Sequence, residues 1–368
     1  MIPPNVTALL QELIRIPSVN PDGSPGTAKT GEATIAAYLA DLLSAMGADV
    51  SVIDVLPGRP NVLARFPSAS AGKPKLLFAP HTDTVSIVGM TIDSFGGEIR
   101  DGKIWGRGAS DTKGSISAML FALNEMKSGI PDLPYEIWFA GLMGEEAGLL
   151  GSAALSDEML FDFVIAGEPT NLDVVHTTKG SVWVTAKTEG QAVHASTPEK
   201  GVNAIYVMAD ILRCVRDEIA PSLKHESHPI LGMPTISAGT ISGGSKTNIV
   251  PDACEVSLDM RTIPGQDIQQ VFRRLKEVAP TASIECWESP PMMTATDHPV
   301  IAAMEQCGAQ CVGAPWFCDA ANFAKHGVPA VAIGPGSIAQ AHTKDEFISV
   351  SDLEAGVLFF SSFLRKLQ

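Results

Sequence analysis

The sequence lacks the features that would indicate a nucleic-acid-binding or membrane protein. Lys and Arg number 26 against 41 Asp and Glu, a formal net charge of −15, and basic residues nowhere cluster as phosphate binding requires. No apolar run approaches the roughly 20 residues of a membrane span, and the N-terminus has no basic stretch of the kind that begins a secretory signal. We therefore expect a cytoplasmic protein with no nucleic-acid or membrane partner.

Paired cysteines and nucleotide-binding loops are also absent. The six cysteines form no Cys-x-x-Cys pair, so the sequence indicates neither a zinc finger nor a redox dithiol. Neither GxxxxGK[ST] nor GxGxxG occurs, which makes a nucleotide-dependent enzyme the weakest of the alternative functions. Any metal must therefore be held by histidines and carboxylates.

The length and the composition of the chain predict two folded domains. The chain has 368 residues, of which 45% are hydrophobic and only 18% charged. Up to about residue 170, amphipathic helical patterns alternate with short apolar runs of the length of buried strands, which is typical of a doubly wound α/β domain. The first helix follows Asn5, a second ends before Gly47, and the runs are at 50–55, 76–79, 137–142 and 163–166.

From about residue 180 the pattern changes to β-α-β-β-α-β, the order of a ferredoxin-like unit, and the α/β pattern resumes afterwards. We predict the α/β class: a doubly wound mixed-sheet domain over 1–180 and 289–368, interrupted by a smaller α+β domain at 181–288. Because the first domain is discontinuous, the second is expected to be a single insertion.

Acidic and imidazole side chains follow the predicted strands, where ligands gather in open α/β sheets. They are His81 and Asp83, Asp111 in a Gly-rich loop, the pair Glu145 and Glu146, Glu168, and His342 beyond Gly334. Each alone has an ordinary explanation: an incidental His-x-Asp pair, a helix N-cap at Asp111, or a solvated Glu pair. Together they supply nitrogen and oxygen ligands without sulfur, the set of a hydrolytic zinc, cobalt or manganese site.

With these motifs assembled, the chain resembles the zinc-dependent family of acetylornithine deacetylase, succinyl-diaminopimelate desuccinylase, aminoacylase and glutamate carboxypeptidase. The motifs are HTDT at 81–84, ASDTKG at 109–114, GEE at 144–146, GEPT at 167–170 and AHTKDEF at 341–347. The resemblance covers essentially the whole chain. It implies two divalent metal ions, zinc first, with cobalt or manganese as alternatives.

The resemblance also assigns roles. It implies His81, Asp111, Glu146, Glu168 and His342 as metal ligands, with Asp111 bridging both ions and commonly followed by a cis peptide. It makes Asp83 the group that orients His81, and Glu145 the general base. In the inserted domain, which would act as a lid, His194 would stabilise the oxyanion, often in the partner subunit's site. Asn248 and Arg261 would hold a substrate carboxylate, and Gly334 would also bind substrate. The other histidines are taken as structural: His176, His225, His228, His298 and His326.

The implied reaction is two-metal hydrolysis of the amide bond of an N-acyl amino acid, by a homodimer joined through the lid. The segment 334–342 looks most like acetylornithine deacetylases, enzymes of arginine biosynthesis. Desuccinylase, dipeptidase or carboxypeptidase activity on a dipeptide-like substrate stays open. A non-catalytic relative acting as a binding protein is the alternative from another class, although no expected site residue is missing.

Overall fold

The computed structural model describes residues 2–22 and 24–367. The α-helices in these ranges are α1 Val6–Arg15, α2 Ala33–Ala45, α3 Lys113–Glu125, α4 Leu150–Glu158, α5 Ala204–Cys214, α6 Ala220–Leu223, α7 Gln269–Val278, α8 Pro299–Glu305, α9 Ala320–Lys325 and α10 Val350–Lys366.

The strands are β1 Asp49–Leu56, β2 Arg59–Arg65, β3 Lys75–Pro80, β4 Glu98–Arg100, β5 Lys103–Trp105, β6 Glu136–Gly141, β7 Phe163–Gly167, β8 Val174–Thr178, β9 Gly180–Glu189, β10 Thr235–Gly243, β11 Ala253–Thr262, β12 Ser283–Ser289, β13 Met292–Met293, β14 Cys311–Ala314, β15 Ala330–Ala332 and β16 Phe347–Ser349.

The chain divides into two compact units. The first comprises Met1–His176, Met293–Val312 and Cys318–Gln368, and the second comprises Thr177–Met292 and Gly313–Phe317. The short return segment was not expected. It belongs to the second unit because the Phe317 ring lies 5.6 Å from that of Trp287 and 6.4 Å from that of Trp183. Such contacts join residues distant in sequence and leave no local pattern.

The first unit is built on a mixed sheet in the order β1-β2-β6-β3-β7-β15-β8. Its centre is parallel, with β3 between β6 and β7, and β15 parallel to β7. Strands β3 and β7 are almost wholly buried, so both faces of the sheet are covered, as in doubly wound folds. The predicted α/β class is confirmed.

Helix α1 begins as its sequence predicts, because the Asn5 side chain accepts a hydrogen bond from the Ala8 amide. Helix α3 packs against α1 and α10, and α9 packs against α4, β7 and β15. The main core joins these layers, and in it the Phe78 ring meets Phe360 and Phe363 edge-on at 6.1 and 6.4 Å.

The first predicted strand differs from expectation in its burial. The run at 50–55 does form β1, but β1 lies at the sheet edge and is mostly exposed, with Val52 51% accessible. Its apolar side chains indicated a buried strand, whereas β2, which the apolar runs did not reveal, occupies the buried position beside it. The exposure of β1 follows from its position at the edge of the sheet, and strand pairing rather than the local sequence sets that position.

The second unit has the predicted β-α-β-β-α-β order, and its four antiparallel strands lie in the order β10-β11-β9-β12. Alternate β9 residues, Val182, Val184 and Ala186, are buried in a core with α5 and α7. Strand β10 is an edge strand, exposed along its length except at Ile236. Over the described parts of the chain, no helix has the length and apolarity needed to cross a bilayer.

Phe360 offers a test of the first unit's core. Because this fully buried ring packs on Phe78, Phe360→Ala should lower the free energy of unfolding by about 3–5 kcal/mol. The measurement is urea denaturation of the metal-free protein. The matched control is Leu358→Ala on the same helix, where the side chain is 68% exposed and the change should be about 0.5 kcal/mol. Equal losses in the two variants would contradict this account of the core.

Candidate metal centre

The four adjacent parallel strands end at one edge of the sheet, and the predicted acids and histidine follow them there. His81 comes directly after β3 and Glu168 directly after β7, whereas three residues separate the end of β6 from the Glu145–Glu146 pair. Three ligand atoms, one each from His81, Asp111 and Glu168, lie within 4.8 Å of one another. A second such group comprises Asp111, Glu146 and His342, and a third comprises His81, Glu145 and Glu146. Asp111 is shared by the first two groups.

His81 connects two of the carboxylates and is only 1% exposed. Its Nε2 lies 3.1 Å from Asp111 Oδ1, and its Nδ1 lies 3.0 Å from the Asp83 carbonyl and 3.4 Å from Asp83 Oδ1. Burial opposes a charge on this imidazole, but its bonds to Asp111 and Asp83 prevail and hold the pKa of His81 well above its usual value.

Asp83 joins His81 to the loop that carries the Glu pair. Its carboxylate accepts hydrogen bonds from the Asn20 side chain at 2.7 Å and from the Glu145 and Glu146 amides at 3.0 and 3.1 Å. Burial alone would raise the pKa of Asp83, but hydrogen bonds from His81, Asn20 and the Glu145 amide outweigh it and keep that pKa low. Asp83 therefore stays ionised and positions both neighbours.

Asp111 lies in the loop before α3, and the Asp111–Thr112 peptide is cis. The ordinary explanation of Asp111 as a helix N-cap does not apply, because Thr112 occupies the N-cap and makes no side-chain cap bond. Instead, Asp111 Oδ1 approaches His81, and Oδ2 lies 3.5 Å from His342 Nε2. The Asp111 side chain thus stands between two histidines from distant parts of the chain.

Glu146 and His342 form the second side of the cluster. Glu146 Oε2 lies 3.0 Å from His342 Nε2, while Glu146 Oε1 is buried and has no hydrogen-bond partner in the described part of the chain. Burial, assisted by Asp111, raises the pKa of Glu146 to about 7, and the bond to Glu146 raises that of His342. Burial also raises the pKa of Glu145 and Glu168 well above the usual range.

Asp319 was not predicted, although it belongs to the same electrostatic neighbourhood. It is 1% exposed, accepts a hydrogen bond from Ser152 Oγ through Oδ1, and leaves Oδ2 unpaired among residues 2–22 and 24–367. Burial raises its pKa to about 7, and its charge contributes to the raised pKa of Glu145 and Glu168. A single aspartate before a short helix carried no signal that distinguished it from surface acids.

The backbone of Gly334 packs closely against the backbone of Glu168. A Cβ at this position would stand 2.6 Å from the Glu168 carbonyl and would also collide with Ser115, so only glycine allows this approach. Gly334 also exchanges hydrogen bonds with Thr170, its amide reaching Oγ1 at 3.2 Å. The structure therefore gives Gly334 a packing role, and its contact with substrate remains a prediction.

The other three predicted residues belong to the second unit. His194 and Asn248 are exposed on paired segments, where the Ala195 amide donates to the Asn248 carbonyl at 3.0 Å, and His194 Nδ1 lies 2.7 Å from Ser196 Oγ. The Arg261 guanidinium forms two bonds to Asp259, at 2.9 and 3.1 Å, and lies 5.6 Å from the Phe317 ring.

The sequence profile of Peptidase family M20/M25/M40 matches residues 77–366. The chain belongs to this family. It is 31% identical over 370 residues to an acetylornithine deacetylase of Proteus mirabilis, with 95% of this chain and 94% of that enzyme covered. The M20 peptidase/deacylase family comprises metal-dependent hydrolases, so this chain is a metallo-hydrolase that acts on amide bonds.

Solved M20 structures share the fold. An M20 family metallo-carboxypeptidase of Sulfolobus solfataricus superimposes with a TM-score of 0.78 at 21% identity, covering 97% of this chain and 98% of that one. The YXEP protein of Bacillus subtilis, described as a dinuclear metal-binding peptidase of the M20 family, has a TM-score of 0.69 at 14% identity, covering 98% and 96%. At these identities the likeness concerns the fold alone.

The cluster of this M20 protein fits divalent cations. It offers imidazole nitrogens and carboxylate oxygens in three groups, two of which share Asp111, and one buried oxygen, Glu146 Oε1, lacks any partner within the described ranges. Four raised carboxylate pKa values, those of Glu145, Glu146, Glu168 and Asp319, show that this many acids are not stable together as anions without added positive charge.

The metal-free protein should consequently lose stability as pH rises. Asp319 has an unfolded pKa of about 3.9 and a folded pKa of about 7. Between those values only the folded state keeps the proton, so stability falls with increasing pH. Asp319→Asn cannot ionise and should remove a loss on the order of 2 kcal/mol between pH 5 and 7. Urea denaturation of chelator-treated protein at several pH values measures the effect.

Asp41→Asn is the control for that experiment, since Asp41 is an exposed aspartate of α2 in the same unit. This variant should follow the wild-type pH dependence. A pH dependence of Asp319→Asn equal to that of wild type would contradict the assigned pKa.

Proposed function

We propose that this M20 enzyme is a deacylase of N-acyl amino acids, with an acetylornithine-like compound as the first substrate to test. The proposal is supported by the 31% identity to an acetylornithine deacetylase over nearly the full length of both chains. The observation that carries the chemistry is the convergence of two three-ligand groups on Asp111. Succinylated amino acids and dipeptides are the competing substrate classes, and family membership argues against the binding-protein and nucleotide-dependent alternatives.

We assign one divalent cation to His81, Asp111 and Glu168, and a second to Asp111, Glu146 and His342. The ligand set favours zinc and would accept cobalt or manganese. When bound, such ions supply Lewis-acid polarisation of the amide carbonyl and lower the pKa of water. Asp83 holds His81 in the orientation that its ligand role requires.

Glu145 is the proposed general base. Burial raises the pKa of Glu145 well above its usual value, while His81 opposes this rise and Glu168 and Glu146 reinforce it. The Glu145 carboxylate therefore accepts a proton more readily than an exposed glutamate does. In this scheme Glu145 accepts a proton from the attacking water as the new carbon–oxygen bond forms. It then delivers that proton to the leaving nitrogen as the carbon–nitrogen bond breaks.

The second unit is the proposed lid. We assign oxyanion stabilisation to the exposed His194, and recognition of the substrate's free carboxylate to Asn248 and Arg261, with the Gly334 backbone as a further contact. The guanidinium of Arg261 suits this task because it can form a two-pronged bond to a carboxylate, and Asp259 holds its orientation.

We also propose a homodimer formed through the second unit. Among the described residues, strand β10 has an unpaired edge and is exposed along almost its whole length, which is the feature that allows strand-to-strand association. Such a dimer leaves open whether His194 serves its own subunit or the partner. The six cysteines, all free, favour the reducing cytoplasm.

Glu145→Gln tests the reaction. Loss of the proton acceptor should reduce kcat by about 10²- to 10⁴-fold while metal content stays at the wild-type level. The measurement is amine release from N-acetylornithine, N-succinyl-diaminopimelate and a set of dipeptides, by zinc- or cobalt-loaded and by chelated protein. The best substrate of this panel identifies the acyl class.

The exposed Glu158 on α4 provides the control, and Glu158→Gln should behave as wild type. Hydrolysis that survives chelation, or a Glu145→Gln enzyme with unchanged kcat, would refute the mechanism. Preference for a succinylated or dipeptide substrate would retain the mechanism and replace the acetylornithine assignment.

Arg261 provides the test of carboxylate recognition. Arg261→Met removes a charged hydrogen-bond donor, so KM for N-acyl amino acids should rise about 10- to 100-fold, with a smaller change for substrates whose carboxylate is amidated. The control is Arg273→Met, because Arg273 also pairs with an aspartate, Asp267, on an exposed surface of the same unit. An equal KM increase for free and amidated substrates would count against this role.

A further inference from the structure

Glu346 lies in the AHTKDEF motif, but the sequence assigned it no role; it is a fully buried carboxylate that accepts four hydrogen bonds from one short segment. Its Oε1 accepts from the Ser110 and Asp111 amides at 2.8 and 2.9 Å, and its Oε2 accepts from the Gly108 amide and Arg107 Nη1, both at 2.9 Å. Its own carbonyl accepts from the Gly106 amide at 3.0 Å.

This segment needs such an acceptor. Residues 106–111 lie between β5 and α3 in neither helix nor strand, and Gly106 and Gly108 have φ values of 150° and 84°. Buried amides without partners are costly, and no regular ladder serves them here. The Glu346 carboxylate supplies partners to three of them, and thereby determines where the backbone of Asp111 lies.

The same hydrogen-bond network also reaches the loop that carries His342. Arg107, paired with Glu346, donates through Nη2 to the Thr343 carbonyl at 3.1 Å, next to His342. Glu346 itself lies four residues beyond His342 in sequence. The loop of Asp111 and the loop of His342 are therefore joined by one buried ion pair, while their side chains approach within 3.5 Å.

We propose that Glu346 is a positioning residue of the metal centre: by holding the 106–111 loop against the His342 loop, it sets the affinity of the Asp111–Glu146–His342 group for a divalent cation. The inference rests on the proposed function, in which these three residues are ligands. Glu346 itself is outside the ligand groups found in the described residues.

The chemistry of the four bonds predicts how each substitution acts. In Glu346→Gln, one end of the amide can still accept two hydrogen bonds, but its NH₂ group faces two further donors, so one pair loses its acceptor. Glu346→Asp keeps the charge but is one methylene shorter, and it cannot reach both pairs. Both changes should displace the Asp111 backbone without removing a ligand.

The test is titration of Zn²⁺ into metal-stripped protein by calorimetry, with the visible absorption of the Co²⁺ form as a second readout. We expect Glu346→Gln to weaken the weaker of the two cation-binding events by about 10- to 100-fold, to alter the Co²⁺ spectrum, and to reduce kcat more than it changes KM. Glu346→Asp should show the same changes to a smaller extent.

Glu136→Gln is the matched control. Glu136 is also a buried glutamate that accepts from an arginine, Arg65 at 2.6 Å, and from an N–H group, Trp138 Nε1 at 2.8 Å, but it begins β6, at the opposite end of that strand from the Glu145–Glu146 loop. The Glu136→Gln protein should lose thermal stability while keeping wild-type cation affinity and the wild-type Co²⁺ spectrum.

The Asp111→Ala variant distinguishes failure of the proposed metal centre from failure of the role inferred for Glu346. If Asp111→Ala binds two cations as wild type does, the proposed metal centre itself fails. If Asp111→Ala loses cation binding but Glu346→Gln keeps wild-type affinity and spectrum at a reduced melting temperature, Glu346 has only a structural role. Failure of both Glu346 variants to fold would also overturn the inference, because the whole fold would then require this residue.

Discussion

The concentration of carboxylates in a buried space is the constraint on which the first unit depends. Asp83, Asp111, Glu168, Asp319 and Glu346 are all less than a tenth exposed, and the Glu145–Glu146 loop lies beside them. Like charges this close cannot all persist without compensation, because burial and mutual repulsion both favour the neutral acids. The groups packed around these carboxylates supply that compensation as hydrogen-bond donors and as positive charge.

Backbone amides provide one form of compensation. Asp83 accepts from the amides of the Glu145–Glu146 loop, and Glu346 accepts from those of the Asp111 loop. Each carboxylate thereby stabilises an irregular segment that could not satisfy its own donors. Asp83 also contacts the proposed ligand His81 and accepts from the amide of the proposed base Glu145, and Glu346 accepts from the amide of the proposed ligand Asp111. The groups that solve the hydrogen-bonding problem of the loops are thus the groups that orient the reactive side chains.

Positive charge is the second way in which the buried carboxylates are compensated. His81 and His342 contact Asp111 from two sides, yet Glu146 Oε1 and Asp319 Oδ2 remain unpaired among the residues described. Two imidazoles do not balance this number of acids, which is why a dinuclear site suits the cluster better than a purely protein-based network. The raised pKa values of Glu146 and Asp319, both about 7, record the same imbalance in the metal-free protein.

Sequence reasoning located residues whose signal is local and missed those whose role depends on distant contacts. His81, Glu145, Glu146 and Glu168 follow apolar runs, and parallel strands share one carboxyl edge, so their approach to one another could be predicted. Asp319 and Glu346 follow no such pattern. Their environment comes from Ser152 and from residues 107–111, more than 160 and 230 positions away in sequence.

By itself the sequence determined the class of the fold, the order of elements in the second unit and the acids that end the central strands, because periodicity and strand-end position are properties of short segments. Tertiary structure alone decided that β1 is an exposed edge, that Gly313–Phe317 joins the second unit, and that Gly334 packs on Glu168. It also decided which buried carboxylates hold the Asp111 loop. These outcomes depend on pairing, burial and close approach between segments far apart in the chain, and no local pattern encodes them.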